Sequence, residues 1–294
     1  PVGNLLMNLT QFLKVFYTVC ALYLALFIAG QGYLFVRYLV LWVRGKQRAP
    51  KPDAPQEWPR VLVQLPIYNE KLVIQRLLEA VVGLDYPRDR LTIQVLDDST
   101  DDTFGVVAAR VAKYRDLGVD VRHVRRLSRA GYKAGAMAYG LSLVPDVEYV
   151  AIFDADFVPA SDFLRRTLPY LTSDPKAGFV QTRWGHLNAG ENWLTGAQAL
   201  SFDAYYLMEQ TARARCGLLL TFNGTGGIWR TAAIRDAGGW SSDTLTEDFD
   251  LSYRAQMKGW HAQYLPEVVV PGEIPMQTKA YKAQQMRWAT GSNQ

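Results

Sequence analysis

An alternation of short apolar runs with longer amphipathic segments, which begins at Val61, constrains the fold more than any other feature of the chain. The short runs predict strands, and the segments between them predict helices. This order is typical of a mostly parallel sheet with helices on both faces, whose ligands bind at the carboxyl ends of the strands. The predicted strands are Val61–Leu65, Thr92–Leu96, Val119–Val124 and Tyr149–Phe153. The predicted helices are about Lys71–Leu84, Thr103–Leu117 and Lys133–Leu143.

Two carboxylates, Asp154 and Asp156, follow the fourth predicted strand. Side chains two residues apart on an extended segment point the same way, and like charges so close are unfavourable unless a cation lies between them or one is protonated. Oxygen ligands suit Mg²⁺ or Mn²⁺, and such an ion can still bind phosphate oxygens of a substrate. An acidic turn that caps a helix starting near Ser161 is the alternative, and these residues alone leave both open.

Polar residues also follow the first two predicted strands: Tyr68, Asn69 and Glu70 after the first, Asp97 and Asp98 after the second. Each group alone fits helix capping, but three polar strand ends at one edge of a sheet favour a binding site. The sequence has neither the Gly-rich dinucleotide fingerprint nor the Gly-Lys-Ser/Thr phosphate loop, which disfavours a Rossmann oxidoreductase and a P-loop enzyme. We therefore expect phosphates to meet a metal ion and basic side chains.

A run of 22 residues without a charged side chain, Val15–Val36, precedes this domain. It is long enough to cross the roughly 30 Å hydrocarbon layer of a bilayer as a helix. A buried core helix and a cleaved signal peptide are the alternatives, although the apolar region of a signal peptide is usually about 7 to 15 residues. Only Lys14 precedes the run closely, so the positive-inside rule predicts that the downstream domain faces the cytosol, at a plasma, inner or Golgi-type membrane. The basic residues that follow the run are Arg37, Arg44, Lys46, Arg48 and Lys51.

These patterns divide the chain into four parts. Residues 1–44 are predicted to form an N-terminal transmembrane helix, and residues 45–60, which are rich in proline, a linker. Residues 61–277 form the α/β domain. Residues 278–294, with basic and aromatic residues interleaved, are predicted to form an interface helix that lies along a membrane surface or over a phosphate and a sugar.

Composition excludes other classes of partner and site. The formal net charge of +4 is small and is not gathered into long basic blocks, so we expect no nucleic-acid partner. The chain has two cysteines, Cys20 and Cys216, which are far apart and support neither a disulfide framework nor a zinc site. Any metal is therefore expected to be held by oxygen.

The second half of the domain carries two further polar segments. The glycine-rich loop at residues 222–227 is explained either by turn chemistry or by a close approach of the backbone to a ligand. Glu247, Asp248 and Asp250 lie at a predicted helix start, where the helix dipole favours acids, but three acids in four residues exceed what capping needs. The other elements predicted here are strands Phe179–Thr182 and His261–Leu265, and helices Asn192–Arg213 and Leu251–Lys258.

Four short motifs occur in a fixed order: Asp97-Asp98, Asp154-Ala155-Asp156, Thr246-Glu247-Asp248 and Gln284-Gln285-Met286-Arg287-Trp288, the last of which fits Q-x-x-R-W. In these motifs the sequence resembles the family 2 glycosyltransferases of the cellulose synthase superfamily, over about residues 61–288. Its Phe222-Asn223-Gly224-Thr225 and Ala237-Gly238-Gly239-Trp240 segments look like those of the mannan and glucomannan synthases among the cellulose synthase-like proteins. The resemblance implies a GT-A fold, a Rossmann-like α/β domain with a mostly parallel sheet, which agrees with the alternation above.

For the donor, the resemblance implies a nucleotide sugar, UDP-glucose or GDP-mannose, bound with Mg²⁺ or Mn²⁺. It implies that Asp154 and Asp156 hold the metal on the diphosphate. Lys133 and Arg287 then neutralise the phosphate charge that grows as the nucleotide leaves, which is electrostatic stabilisation by charges fixed in advance. The residues that the resemblance assigns to the nucleoside are Tyr68, Glu70 and Asp97 or Asp98.

For the acceptor, the resemblance implies a glycan whose hydroxyl attacks the anomeric carbon directly. It makes Asp248 the general base, a role that suits a carboxylate whose pKa is raised by neighbouring acids. One base is sufficient if the displacement inverts the anomeric centre and turns an α-linked donor into a β-glycoside. The residues that the resemblance assigns to the acceptor are Trp288, Asn223, Gly224 and Thr225.

Two departures from the cellulose synthases favour a cellulose synthase-like enzyme. Ile67 stands where those enzymes commonly have threonine, and Asn223-Gly224-Thr225 replaces a Phe-Cys-Gly-rich loop. The chain starts at Pro1 and stops at Gln294, just after the last motif, so we expect a fragment of a longer protein. The favoured interpretation is a membrane-anchored, inverting polysaccharide synthase. The alternatives are transfer of a single sugar to a lipid acceptor and an inactive nucleotide-sugar-binding or structural subunit; a binding module, however, needs no base.

Overall fold

The computed structural model describes residues 2–293, with side chains from residue 9 onward. It begins with one long helix, α1 (Val2–Val43). The stretch Leu9–Val43 of this helix is long and apolar enough to cross a membrane, judged by length and composition. The helix is followed by Gly45, whose φ of 63° lies in the left-handed region, a common way for a helix to end.

A seven-stranded sheet forms the centre of the α/β domain, with strand order β3-β2-β1-β4-β6-β5-β7. Six strands run in one direction, and β6 runs antiparallel to its neighbours β4 and β5. The predicted mostly parallel sheet is confirmed. The strands are β1 (Val61–Ile67), β2 (Leu91–Asp97), β3 (Val121–Val124), β4 (Tyr149–Ile152), β5 (Ala177–His186), β6 (Gly227–Arg230) and β7 (His261–Gly272).

Helices cover both faces of the sheet. The predicted long helix at Asn192–Arg213 is one continuous helical stretch, but its middle, Ala204–Gln210, is a π-helical segment. A 3₁₀ turn also occurs at Arg88–Arg90. The α-helices are α2 (Ile74–Val82), α3 (Thr103–Asp116), α4 (Tyr132–Ser142), α5 (Phe163–Thr172), α6 (Trp193–Asp203), α7 (Thr211–Arg215), α8 (Thr231–Asp236), α9 (Glu247–Met257) and α10 (Thr278–Ser292).

Two hydrophobic clusters, one on each face, bury the central strands. Alternate residues of β1 serve different clusters: Val63 packs with Leu77 of α2, and Leu62 packs with Met137 of α4. Both faces of a central parallel strand are therefore apolar, which explains why the sequence of β1 is a nearly continuous hydrophobic run.

The sequence did not predict β6, because it begins inside the glycine-rich loop. A Cβ on Gly227 would lie 2.6 Å from the carbonyl oxygen of Val180, so only glycine fits this close approach to β5. Gly227 pairs with Ile152, the last residue of β4. Residues 222–226 are thereby brought to the carboxyl end of β4, beside the acidic motif.

Several predicted elements were too short, and two of the differences bear on the site. Strand β7 continues to Gly272 rather than ending at Leu265, because it pairs with the second half of β5 after an irregularity in register. Helix α9 begins at Glu247 rather than Leu251, so that Glu247, Asp248 and Asp250 lie in its first turn. The acids at the start of α9 therefore sit at the positive end of the helix dipole.

Candidate active site

A cavity of about 1280 Å³ lies at the carboxyl edge of the sheet. The ends of β1, β4, β5 and β7, the loop before β6, the start of α9 and helix α10 all contribute to its wall. Asp97 and Thr225 are absent from this wall. The site residues predicted from the sequence that line the cavity are Tyr68, Glu70, Asp98, Lys133, Asp154, Asp156, Asn223, Gly224, Asp248, Arg287 and Trp288.

Lys133 joins the acidic motif to the loop before β6. Its Nζ lies 2.6 Å from Oδ1 of Asp154 and donates to the carbonyl oxygen of Gly224 at 3.0 Å. Gly224 has a φ of 78°, and a Cβ there would lie 3.2 Å from Oδ2 of Asp248 and 3.4 Å from the Lys133 Nζ. The backbone conformation favours glycine at this point, and a side chain here would also be tight against these two charged groups.

The neighbours of Gly224 hold the loop in place. The Thr225 side chain is fully buried, and its Oγ1 accepts a hydrogen bond of 2.9 Å from the backbone N–H of Asp154. The backbone N–H of Asn223 donates to Oε1 of Gln181 at 2.7 Å, and the Asn223 amide donates to the Tyr205 hydroxyl at 3.2 Å. Thr225 therefore supports the acidic motif from behind, whereas Asn223 and Gly224 face the cavity.

Within the described residues, one ammonium, that of Lys133, forms an ion pair with an acid near Gly224, and these acids outnumber it. Burial, reinforced by Asp154, raises the pKa of Asp156 to about 7. Burial, reinforced by Glu247, raises the pKa of Asp248 to about 7 as well. Burial opposes the charge of Lys133, but Asp154, Glu247 and Asp248 outweigh it and raise the pKa of the ammonium. Such a centre favours a further cation, and it contains a carboxylate that can accept a proton near neutral pH.

Asp154 and Asp156 fit an oxygen-bound divalent ion. Their mutual repulsion is what such an ion would relieve, and carboxylate oxygens are the ligands that Mg²⁺ and Mn²⁺ prefer. Within residues 2–293 no group of three or more His, Cys, Asp or Glu side chains is arranged to hold a metal. An ion at this pair therefore needs further oxygen ligands, which substrate phosphates can supply.

Asp98, which directly follows β2, forms a bidentate salt bridge with Arg126. The Arg126 Nε lies 3.1 Å from Oδ1 of Asp98, and Nη2 donates to Oδ2. The same guanidinium donates to the carbonyl oxygens of Ala130 at 2.8 Å and Tyr132 at 3.0 Å. This salt bridge fixes the orientation of the Asp98 carboxylate and ties it to the loop between β3 and α4.

Asp97 points away from the cavity. Its side chain is fully buried, with Oδ2 lying 2.7 Å from Nε2 of His123 and Oδ1 accepting from the backbone N–H of Ser99 at 2.8 Å. Burial opposes ionisation, but the hydrogen bonds from His123 and Ser99 prevail and lower the pKa of Asp97. Of the two aspartates named for the nucleoside, Asp98 is therefore the one that a ligand in the cavity can reach.

Tyr68 and Glu70 follow β1 at the same end of the cavity. The guanidinium carbon of Arg129 lies 3.4 Å from the centre of the Tyr68 ring, a close cation–π contact. Burial, with added repulsion from Asp154, raises the pKa of Glu70. Tyr68, with Arg129 over its ring, and the acid beside it give this end of the cavity an aromatic group and charged groups.

Helix α10 closes the opposite side of the cavity. The Trp288 ring lies 6.0 Å from Phe202 and 6.4 Å from Trp184, centre to centre. Trp184 in turn donates from Nε1 to the carbonyl oxygen of Thr225 at 3.3 Å. Arg287 lines the cavity and has no ion pair with any residue in the described part of the chain. Aromatic rings thus connect the Q-x-x-R-W helix to the loop that carries Gly224.

Sequence reasoning missed the partners of these residues. His123 and Arg126 hold the two β2 aspartates, Arg129 stacks on Tyr68, and Tyr205 holds Asn223. One signal was present: Arg125, Arg126 and Arg129 are three arginines within five positions after β3. Nothing local in the sequence marks Tyr205, which lies on the π-helical segment, a kind of irregularity often found at functional sites.

Comparison with known proteins identifies the family. Residues 59–291 match the model of the family described as Glycosyltransferase like family 2. The chain belongs to this family. It is 45% identical over 244 residues to glucomannan 4-beta-mannosyltransferase 1 of Cyamopsis tetragonoloba, covering 82% of this chain and 46% of that protein. It is also 45% identical over 237 residues to glucomannan 4-beta-mannosyltransferase 9 of Arabidopsis thaliana, covering 80% of this chain and 44% of that protein. The chain thus spans less than half the length of these two relatives.

Solved structures give the same fold. The mannosyltransferase PcManGT from Pyrobaculum calidifontis, in complex with GDP-Man and Mn²⁺, is 28% identical, with a TM-score of 0.68 over 90% of this chain and 72% of that chain. S. aureus TarS is 17% identical, with a TM-score of 0.55 over 78% of this chain and 39% of that chain, and this likeness concerns the fold alone. The GT-A fold implied by the sequence motifs is confirmed.

Proposed function

We propose that this chain is the catalytic part of a membrane-anchored, inverting glycosyltransferase that moves a mannosyl group from GDP-mannose to a growing β-linked polysaccharide. The observation that carries the proposal is the convergence of Lys133, Asp154 and Asp248 on Gly224 in one large cavity. The names of the relatives, and of the solved mannosyltransferase that holds GDP-Man and Mn²⁺, support mannose and GDP over glucose and UDP.

At the donor end, Asp154 and Asp156 hold Mg²⁺ or Mn²⁺, which when bound neutralises charge on the diphosphate. Lys133 already lies at Asp154, and Arg287 reaches the cavity from α10 without an ion pair to any described residue. Both cations stabilise the negative charge that grows on the departing nucleotide. The nucleoside lies along Tyr68, Glu70 and Asp98. The buried contact between Asp97 and His123 holds the end of β2, next to Asp98, in place.

At the acceptor end, Asp248 is the general base. Its carboxylate takes the proton from an acceptor hydroxyl while that oxygen bonds to the anomeric carbon and the bond from this carbon to the phosphate oxygen breaks, with inversion. A pKa near 7 matches a base that works at neutral pH, because the carboxylate is substantially ionised and still has an appreciable affinity for the proton. Trp288 offers its ring to the apolar face of the acceptor sugar, and Asn223 with Gly224 borders the space between donor and acceptor.

The test is a transfer assay on membranes that contain the protein. We expect radiolabelled GDP-mannose with Mn²⁺ or Mg²⁺ to give a polymer that a β-mannan-specific hydrolase degrades, and the Asp248→Asn variant to give roughly 10²- to 10⁴-fold less. Incorporation from UDP-glucose alone would overturn the choice of donor. A product that carries one sugar and extracts into organic solvent would instead support transfer to a lipid acceptor.

Orientation in the membrane needs a separate test. The basic residues after the apolar run support a cytosolic catalytic domain, with direct access to cytosolic nucleotide sugars. We expect protease added to sealed inside-out vesicles to cleave the catalytic domain, and protease added to right-side-out vesicles to leave it intact. The reverse pattern would overturn the orientation without affecting the assignment of the transfer reaction.

A further inference from the structure

A second cavity, of about 600 Å³, lies between the end of α1 and the α/β domain. It is separate from the candidate active site, and the residues that line the two cavities do not overlap. Tyr38 and Arg48 border it from α1 and the segment that follows; Arg183, Thr211 and Glu267 border it from the domain. Its polar lining carries two guanidiniums and one carboxylate.

The walls of this cavity are held together by contacts between α1 and the domain. Leu34 of α1 is only 6% exposed, in a helix whose other large apolar residues are mostly exposed. Arg37 Nε lies 3.2 Å from Sγ of Cys216, just after α7. Arg215 donates from Nε to the carbonyl oxygen of Gln47 at 3.2 Å and from Nη2 to that of Tyr264 at 2.9 Å. These contacts therefore fix both walls of the cavity relative to each other.

The charged groups of this cavity are incompletely paired. Glu267 Oε2 is shielded from solvent and accepts no hydrogen bond, and the Glu267 carboxylate has no ion pair within the described residues, although its charge acts on the Arg215 guanidinium. Arg48 likewise has no ion pair there. Arg183 donates from Nε to the carbonyl oxygen of Pro266 at 3.1 Å, and its Nη1 lies 3.5 Å from Oδ1 of Asp203. A half-buried carboxylate without a hydrogen-bond donor is unfavourable, so a ligand that brings an N–H donor to this carboxylate stabilises the arrangement.

The cavity also lies at the depth of lipid headgroups if Val15–Val36 crosses the hydrocarbon layer. Arg37 then marks the edge of that layer, and at about 1.5 Å per residue Tyr38 lies about 2 Å and Val43 about 9 Å beyond it. The headgroup region on each side of a bilayer is about 5 to 8 Å thick. The mouth of the cavity at Tyr38 is thus within this region, and the segment that carries Arg48 is just below it.

We propose that this cavity binds the headgroup of an aminophospholipid. The phosphate is held by Arg48 and Arg183, the primary ammonium donates to Glu267, and the acyl chains lie along the exposed apolar surface of α1. A choline headgroup has no N–H to donate, and a purely anionic headgroup brings no cation to Glu267, so the site favours a primary amine. This inference rests on the membrane anchoring proposed above and is independent of the transfer chemistry.

The experiment is native mass spectrometry of the purified chain in detergent. Phosphatidylethanolamine, phosphatidylcholine and phosphatidylglycerol with identical acyl chains are added at equal concentration. We expect one phosphatidylethanolamine to be retained with roughly tenfold preference over phosphatidylcholine, the scale of one charge-assisted hydrogen bond. Glu267→Gln should bring the ratio to about one, and Arg48→Gln should reduce retention of all three lipids. Arg44→Gln, which removes a basic residue outside the cavity from the same segment, should change neither.

Three results would overturn the inference: an undiminished preference in Glu267→Gln, equal loss of lipid in Arg44→Gln and Arg48→Gln, or equally tight binding of water-soluble phosphoethanolamine, which has no acyl chains. Circular dichroism and a thermal melt in the same detergent verify that each variant is folded. A chain that stays in the membrane fraction but shows no lipid preference contradicts only this inference. A chain that is fully soluble without detergent contradicts the membrane anchoring itself.

Discussion

The carboxylates at the end of β2 and those around Gly224 differ in their partners more than in their burial. Asp97 and Asp98 have side chains that are 0% and 8% exposed, and each is paired with a basic residue, His123 or Arg126. Asp156 and Asp248 have no ion pair among residues 2–293, and their pKa values are raised to about 7. In the first group each charge is compensated within the protein, although Asp98 also lines the cavity. In the second group we expect ligands to supply the compensation.

This difference separates the carboxylates that stabilise the site, Asp97 and Asp98, from those proposed to act on metal or substrate, Asp156 and Asp248. A carboxylate paired inside the protein contributes to folding, and its loss leaves an uncompensated partner. A carboxylate held without a partner lowers stability and gains its favourable interactions only when metal, substrate or proton arrives. Substitutions in the two groups are therefore expected to have opposite signatures in stability and activity.

The largest effect is expected at the metal pair. Asp156→Ala removes a proposed metal ligand, so transfer should be abolished and GDP binding should no longer respond to a chelator. Isothermal titration calorimetry with and without EDTA, alongside turnover, measures both. Asp162→Ala, which changes an exposed acid at the start of α5, is the matched control and should leave both unchanged. GDP binding that stays chelator-sensitive in Asp156→Ala contradicts the assignment.

A smaller but still large effect is expected at the base. Asp248→Asn keeps the shape of the side chain and removes the proton acceptor, so turnover should fall by roughly 10²- to 10⁴-fold while GDP affinity is retained. Arg287→Ala removes charge from the leaving group's side of the cavity, so both turnover and GDP affinity should fall. If Asp248→Asn loses GDP binding as severely as Arg287→Ala, Asp248 belongs to the donor site, and Glu247 becomes the leading candidate for the base.

Substitutions among the paired β2 aspartates and their basic partners, the framework of the site, should instead lower the free energy of unfolding. Arg126→Ala leaves Asp98 buried without its salt bridge, and loss of one partner of a buried pair costs about 3 to 5 kcal/mol. The Arg122–Asp120 pair provides the control, because its side chains are 46% and 42% exposed and such pairs contribute about 0 to 1 kcal/mol. Denaturant titration of Arg126→Ala and Arg122→Ala compares the two. Equal losses of unfolding free energy in the two variants would show that the Arg126–Asp98 pair contributes no more to stability than an exposed ion pair.

Local patterns in the sequence were sufficient for part of this picture. Asp154 and Asp156 were predicted at a strand end because the apolar run before them is continuous, and β4 ends at Ile152. The Asp98–Arg126 salt bridge joins residues 28 apart, and the contact of Lys133 with Gly224 joins residues 91 apart. No periodicity encodes such pairs, because they depend on which loops the folded sheet brings together.

The glycine-rich loop shows the same limit. From the sequence, either turn chemistry or a close approach of the backbone to a ligand explained its glycines. The structure shows turn chemistry at Gly224, whose φ is 78°, and a close approach to Phe222 and Val180 at Gly227. Strand β6 was missed because its first residue is a glycine selected by contacts with β5 and Phe222, not by strand propensity. Thr225 was assigned to the acceptor by resemblance, but its hydroxyl is used to hold the backbone of Asp154.

The smallest effect expected is a change in how stability depends on pH. The pKa of Asp248 is about 7 in the folded protein and, in an unfolded chain, close to its ordinary value of about 3.9. Between these values the folded state keeps a proton that the unfolded state loses, so Asp248 lowers stability progressively as pH rises, up to about pH 7. Asp248→Asn has no proton to lose. Its thermal midpoint, measured without divalent ions, should therefore exceed that of the wild type by a margin that grows from pH 5 to pH 7 and then stays level.

Asp97→Asn is the control with the opposite sign. Because the pKa of Asp97 is lowered by His123 and Ser99, its ionised form stabilises the fold at every pH above the unfolded value, and that contribution is lost only as pH falls through the folded pKa. Asp97→Asn should therefore lower the midpoint throughout pH 5 to 8. An Asp248→Asn curve that runs parallel to the wild type over this range would contradict the view that Asp248 is held at a cost in stability for use as a base.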